Sequence, residues 1–439
     1  QYSLDGRSCS ACLGTRCFRP APSWFLPDAA RTRQLGKNGM HENARVSVEA
    51  ALATLHRGEI IVVTDDERRE NEGDLIVAAE FADTDAIQFM ITHGRGLVCI
   101  AMEQERLRHL GLSRMPRDEQ GDPFRTAFME SVDARADVST GISASDRART
   151  IRALVDPTTT PEDLCRPGHM FPLQAAERGV LGRPGHTEAA VDLSRLAGLA
   201  PAGVICEVVR DDGDMMRYPE LVGFARQHEL AMTSVADLIE YRKQTEKLVE
   251  LEQQVRLPTP YGDFQLRMYH SLLEDRHHLA LVMGDPAARS PALVRMHSEC
   301  LTGDVFGSLR CDCGQQLQQA MRMVAEEGDG VVLYLRQEGR GIGLAPKIHA
   351  YALQESGMDT VEANEHLGYD ADLRDYCSAA QILQDLGLGR VRLLTNNPAK
   401  IEGLRPYGID AERVAHVMEP TDENRRYLET KKSKLRHLL

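Results

Sequence analysis

The sequence predicts an α/β protein of mixed α+β layers: two globular domains in tandem, each with its own sheet and helices, behind a disordered N-terminal leader. Three observations carry this. The 439 residues exceed what one hydrophobic core ordinarily serves. Short β-type apolar runs alternate with stretches of helical period in both halves. A 42% hydrophobic, 27% charged composition is that of a globular chain. The net charge of −14 disfavours nucleic-acid or anionic-membrane partners, whose affinity rests on cationic surface. The longest nearly apolar run, Leu196 to Cys206, is about half a membrane span. Ten cysteines are too sparse for a disulfide scaffold, which points to a reducing, cytoplasmic setting.

Residues 1–39 are rich in Arg, Pro, Gly and Ser, lack amphipathic period and contain no methionine before Met40. They read as a disordered leader, without the apolar core of a secretory signal. Cys9, Cys12 and Cys17 there have no fourth ligand at a familiar metal spacing. A first domain is expected over 40–242. Ser47 can cap a helix carrying Val48, Ala51, Leu52 and Leu55 that stops at Gly58. Ile60 to Val63, Leu97 to Ile100 and Val204 to Cys206 read as buried strands. The charged stretch Ala236 to Val255 reads as helical, making 243–256 a helical linker ended by Pro258 and Pro260. The second domain, 257–439, shows β-type runs at Val331 to Leu335 and Val391 to Leu394, with helical spacing over Gln315 to Glu326.

Cys300, Cys311 and Cys313 place three thiolates within 14 residues. Three sulfur ligands and an open position suit a catalytic zinc, whereas a fourth ligand elsewhere would make the site structural. Spacing alone leaves both open, along with three buried thiols. Just upstream stand Arg295 to Glu299. The strand at 331–335 runs into Glu338-Gly339-Arg340-Gly341, where glycines let backbone amides approach an anion. Thr395 and Lys400 follow another strand and also suit phosphate.

The segments RMHSECLTGDVFGSLRCDCGQQLQ, YLRQEGRGIGL, DTVEANEHLGYDADLRDY and LLTNNPAK, over roughly residues 257–415, resemble GTP cyclohydrolase II. The resemblance implies zinc on Cys300, Cys311 and Cys313. It implies GTP binding by Arg295, Met296, His297, Ser298, Glu299, Gln316, Glu338, Gly339, Arg340, Thr360, Thr395 and Lys400. Asp372 would be the general acid/base and Arg374 the nucleophile or stabiliser at the α-phosphate. GTP would yield 2,5-diamino-6-ribosylamino-4(3H)-pyrimidinone 5′-phosphate, formate and pyrophosphate.

In the first half, Asp65 to Asp74 holds six carboxylates in ten residues, which demand a divalent cation or arginines if the loop is ordered. A solvated acidic turn is the bland reading. Two RPGH motifs, at Arg166 to His169 and Arg183 to His186, set imidazole beside glycine and arginine, as an enolisable phosphorylated substrate needs. With DDERRENEGDL, HGRGLVCIAM, STGISASDRA and CEVV, these motifs resemble 3,4-dihydroxy-2-butanone 4-phosphate synthase over about residues 42–242. The resemblance implies Mg²⁺ or Mn²⁺ on Glu70 and His186. Ribulose 5-phosphate would bind Arg69, Glu70, Asp74, Arg183, Pro184, Gly185, His186, Thr187 and Glu207, with His169 and Glu207 catalytic. Glu72, Cys99 and Thr140 would line the site, and a homodimer is implied. Gln174 and Arg210 depart from the family pattern. Together the halves imply a bifunctional enzyme of riboflavin biosynthesis. Two alternatives remain: a cyclohydrolase with an inactive N-terminal module, and a zinc-stabilised GTP-binding regulator without turnover.

Overall fold

A computed structural model describes residues 44–117, 124–370 and 372–438. The leader expected over 1–39, with Cys9, Cys12 and Cys17, lies outside the described residues. Two seven-stranded mixed sheets follow one another along the chain. The first comprises β1 (Ile61–Thr64), β2 (Gly73–Ala78), β3 (Cys99–Met102), β4 (Val132–Ala134), β5 (Leu164–Gln174), β6 (Ala202–Glu207) and β7 (Ala231–Ser234). Their order is β4-β5-β3-β6-β2-β1-β7. Strand alternation feeds two cores. Val62, Leu75, Val77, Ile100 and Val204 pack on one face, while Ile61, Val63, Ile76, Cys99 and Ile205 pack on the other with the helices Val48–His56 and His186–Leu196. Ser47 caps the first of these helices, its hydroxyl accepting from Ala50 N–H.

The second sheet comprises β8 (Val249–Thr259), β9 (Gly262–Ser271), β10 (Arg276–Met283), β11 (Ala292–Ser298), β12 (Gly330–Leu335), β13 (Arg390–Leu394) and β14 (Asp410–Val414), in the order β14-β13-β11-β12-β10-β9-β8. One side is parallel, the other an antiparallel meander. The chain leaves β11 for β12 on one side and returns to β13 on the other, a topological switch point. Open α/β sheets leave their ligand crevice outside the carboxyl ends of strands at such a point. No helix among the described residues is long and apolar enough to cross a membrane.

The expected helical linker at 243–256 is corrected. The helix is Val235–Thr245, and Val249–Thr259 is β8, paired along its length with β9. Its charges suggested a solvated helix, but long-range pairing outweighs local propensity. Pro258 does not end the strand because β8 is an edge, where a missing N–H costs no ladder bond. The halves touch along this seam. Leu248 N–H donates to Gln381 Oε1, and Lys243 Nζ lies 2.7 Å from Asp375.

Candidate active sites

In the first half, sheet register assembles the acidic site. Asp74 on β2 is paired with Glu207 on β6. Continuing the β3 register outward by two residues puts Leu97 beside Glu207 on one side and His169 of β5 on the other. Leu97 N–H donates to Glu207 Oε2 at 2.8 Å, and Gly96 leaves room for that carboxylate, since a Cβ there would lie 2.5 Å from it. The helix His186–Leu196 packs across β3, β6 and β2. Its first residue sets His186 Nδ1 3.5 Å from Glu70 and 3.6 Å from Asp74. Gly185 precedes it where a Cβ would meet Arg183 and Arg69 at 2.5 and 2.9 Å, so both guanidiniums close over the glycine. Pro184 lies in the same turn and Thr187 is buried in the helix's first turn.

Arginines order the acidic loop. Arg69 bridges Asp65 and Glu70 at 2.8 Å each, and Arg217 donates to the carbonyls of Glu70 and Asn71. Asp65, Glu70 and His186 bring ligand atoms within 4.8 Å of one another. Both Asp65 oxygens already accept bonds from Arg69, Glu70 N–H and Glu72 N–H, so Asp65 shapes the turn. Asp74 Oδ1 and His186 Nε2 are buried without hydrogen-bond partners, as a metal or substrate site would leave them. Burial, with repulsion from Glu207 and Glu70, pushes Asp74 up to about 7 even against His186. Burial disfavours the His186 charge, yet Asp74 and Glu70 raise it to about 9.

His169 is held by a residue the motifs did not single out. Asp133 accepts from His169 N–H at 2.9 Å and pairs with the ring at 2.7 Å. Gly141 permits this, since a Cβ would lie 2.1 Å from Asp133 Oδ2. No hydrogen bond ties His169 to Glu207 or His186. Gln174, by strand alternation, faces away from His169. Arg210 forms ion pairs with Asp212, Asp214 and Glu220 at the surface.

In the second half, one cleft opens at the carboxyl ends of β11, β12 and β13. Arg295, His297, Ser298, Glu299, Gln316, Glu338, Gly339, Arg340, Thr360, Thr395, Lys400, Arg374 and the three cysteines all line it. Met296 is the exception among the expected nucleotide residues. Alternation along β11 turns its side chain into the core, and only its carbonyl serves the cleft's wall, accepting from Lys400 Nζ at 2.6 Å. Asp372 is exposed and does not line the cleft itself, but is joined to the lining residue Arg374 by two guanidinium bonds, one of 2.8 Å to Nε. Leu373 N–H donates to Arg340 O, docking this loop on the glycine-rich turn. Arg340 itself holds φ 62°, a left-handed conformation that non-glycine residues adopt mainly where function or packing demands it.

Cys300 Sγ and Cys311 Sγ lie 3.7 Å apart. Zinc–sulfur bonds of about 2.3 Å at tetrahedral angles place sulfurs about 3.8 Å apart, far beyond a disulfide's ~2.05 Å. Gly303 lets the sulfurs close, because a Cβ there would sit 2.9 Å from Cys311 Sγ. Among the described residues no fourth His, Cys, Asp or Glu joins the cluster. That fits three ligands and an open position. Lys347 donates to Cys300 Sγ at 3.1 Å and to Glu338 at 2.7 Å. Bonds from Cys311 and Cys313, then Lys347, hold the Cys300 thiol far below its ordinary value.

Arg295 and Lys400 are buried, and no carboxylate of the described residues pairs with either within 4 Å. Arg295 uses its donors on Leu394 O and Gln316 Oε1. Burial pushes Arg295 down to about 10 and Lys400 well below the ordinary amine value. Lys347, Tyr351, Tyr427 and Lys431 also line the cleft, unannounced by any motif.

Comparison with known proteins agrees with this division. Residues 49–241 match the family model of 3,4-dihydroxy-2-butanone 4-phosphate synthase, and residues 250–415 that of GTP cyclohydrolase II. The riboflavin biosynthesis protein RibBA of Synechocystis sp. is 55% identical over 398 residues, 90% of this chain and 71% of that protein. RibBA of Salinispora tropica is 55% identical over 395 residues, 90% of this chain and 98% of that protein. Among solved structures, RibBX, a two domain 3,4-dihydroxy-2-butanone 4-phosphate synthase from A. baumannii, is 35% identical with a TM-score of 0.63. It covers 84% of this chain and all of that one. The chain therefore belongs to the RibBA family of riboflavin biosynthesis proteins, bifunctional enzymes that join a synthase half to a cyclohydrolase II half.

Proposed function

We propose that the second half hydrolyses GTP to 2,5-diamino-6-ribosylamino-4(3H)-pyrimidinone 5′-phosphate, formate and pyrophosphate. The first half converts ribulose 5-phosphate to 3,4-dihydroxy-2-butanone 4-phosphate and formate. The observation that carries the reading is a three-cysteine cluster that finds no fourth ligand among the described residues, set beside two buried cations that none of those residues' carboxylates pairs. A buried uncompensated charge costs several kcal/mol, and a triphosphate removes that cost on binding.

Cys300, Cys311 and Cys313 would hold zinc, which supplies a water acidic enough to ionise near neutral pH. Lys400, Arg340 and Arg295 bind the phosphates, and Glu338 accepts from the amino edge of the base. Burial pushes the Asp372 carboxyl up, but Arg374 holds it below the usual carboxylate range, so it stays ionised, the form a proton acceptor needs. Arg374, oriented by Asp372, presents its planar fork to the α-phosphate.

In the first half Glu70 and His186 would hold Mg²⁺ or Mn²⁺, which supplies positive charge against a developing enediolate. Arg69 and Arg183 bind the sugar phosphate beside Gly185. Glu207, tethered by Leu97 N–H, and His169, oriented by Asp133, move the protons. A homodimer in a reducing cytoplasm suits the free cysteines and the family. Formate release measured separately from GTP and from ribulose 5-phosphate tests both halves. Release from only one substrate would remove the assignment of the other half.

A further inference from the structure

The last helix, Arg425–Ser433, lies beyond the residues that match the cyclohydrolase family, 250–415, yet Tyr427 and Lys431 line the nucleotide cleft. Lys431 does not arrive there as a free cation. Its ammonium donates to Asp312 Oδ1 at 2.7 Å, and the two side chains are only 10% and 1% exposed. Asp312 stands between Cys311 and Cys313, and its other oxygen accepts from Gln316 Nε2 at 2.6 Å. Gln316 Oε1 accepts in turn from Arg295 Nη2 at 2.6 Å, and Arg295 Nη1 donates to Leu394 O at 2.8 Å. A buried polar chain thus runs from Lys431 through Asp312 and Gln316 to Arg295 in the middle of β11, and on to Leu394 at the end of β13.

We propose that Lys431 is a positioning residue for the guanine nucleotide, acting through Asp312 and Gln316 on Arg295, so that the nucleotide site includes the last helix. This rests on the reading that the cleft takes GTP. Without the ammonium, Asp312 is a buried carboxylate in search of a cation, a state proteins avoid by re-pairing. The nearest remedy along the chain is Arg295, one amide away. Arg295 bound to Asp312 is spent as an anion site, whereas Arg295 bound to the neutral amide of Gln316 keeps its full charge for the nucleotide. Lys431 therefore keeps Arg295 available.

The effect belongs to binding, because Arg295 meets ground state and transition state alike, so it appears in KM rather than kcat. In the full-length, zinc-loaded enzyme, Lys431→Met should raise KM for GTP about tenfold or more while kcat stays within about threefold. Lys431→Arg should keep KM near wild type. The double variant Lys431→Met/Asp312→Asn, which leaves no charge to capture Arg295, should return KM toward wild type. Zinc per chain and ribulose 5-phosphate turnover, read on the same samples, establish that each variant is folded. An unchanged KM in folded Lys431→Met overturns the proposal. So does a double variant that folds but keeps the raised KM, which would mean the lysine acts on the nucleotide without Asp312. Absence of formate from GTP in the wild-type enzyme would be a different failure, that of the GTP reading itself.

Discussion

The two active sites solve opposite electrostatic problems. In the first half Glu70, Asp74 and Glu207 crowd one end of a sheet, and His186 sits among them as an imidazolium raised to about 9. In the second half Arg295 on β11 and Lys400 on the helix Pro398–Glu402 are buried, with no carboxylate of the described residues within 4 Å. One site has surplus anion and a proton standing where a divalent cation can go. The other has surplus cation where a polyphosphate can go. Each site is incomplete by the charge of its expected ligand, and that complementarity distinguishes them more sharply than fold does, since both rest on seven-stranded sheets.

The strongest way to break the comparison is to disable one site and read the other. Cys311→Ser should release zinc and lower GTP ring opening by roughly a thousandfold or more, because an alcohol replaces a thiolate ligand. Formate from ribulose 5-phosphate should be unaffected. Glu70→Gln should do the reverse. Metal analysis and the two formate assays on each variant check this, and a joint loss of both activities in a folded variant would show that the sites are not separate.

Arg374→Lys comes next. Asp372 grips the guanidinium through two bonds, and the Arg374 side chain is only 10% exposed. Lysine keeps the charge but has no fork for carboxylate and phosphate together. The variant should fold and keep zinc, yet lose pyrophosphate release from GTP by roughly a hundredfold to a thousandfold. A formamide-opened triphosphate analogue, which bypasses ring opening, should also keep its pyrophosphate. Release from it at wild-type rate would show that Arg374 takes no part at the phosphate.

The acidic site gives a sign that can be tested by melting. His186 is raised from 6.5 to about 9, so the stability it lends the metal-free protein is complete below about 6.5 and lost as pH climbs through 9. Asp74, raised from 3.8 to about 7, likewise favours the fold less as pH rises across that interval. A divalent ion must displace the His186 proton, so binding is favoured as that proton leaves. The rise in Tm produced by Mg²⁺ should therefore grow between pH 7 and 9. A Tm increment that shrinks over that interval would remove His186 from the metal site.

Much of this was legible because motifs carry chemistry locally: the acidic loop and the second RPGH meet at Glu70 and His186, the first RPGH lies on β5, and the cysteine triplet and the glycine-rich turn line one cleft. What stayed hidden depends on long-range pairing. Asp133 reaches His169 only because β4 lies beside β5. Lys347 reaches Cys300 from a helix 47 residues downstream. The period of β11 could have set Met296 aside, since Arg295 and His297 alternate away from it. Strand β8 was masked by charges that an edge strand tolerates as readily as a helix does.

The smallest expected effect crosses between the halves and so limits the comparison. Lys243, on the helix Val235–Thr245 of the first half, lies 2.7 Å from Asp375 of the second and is largely buried. Asp375 accepts from Cys377 N–H at 2.6 Å, at the start of the helix Cys377–Asp385, and its carbonyl accepts from Gln337 Nε2 at 2.6 Å. One residue before it stands Arg374. The synthase half therefore clamps the loop that carries Arg374, while among the described residues nothing equivalent runs the other way at Glu70 or His186 beyond the exposed Arg68–Asp370 pair. Partly exposed ion pairs contribute about 1 kcal/mol or less, so Lys243→Met should slow GTP turnover by roughly two- to fivefold. Ribulose 5-phosphate turnover should hold. If GTP turnover is unchanged while the melting temperature falls, Lys243 only joins the halves, and each site is set by its own sheet.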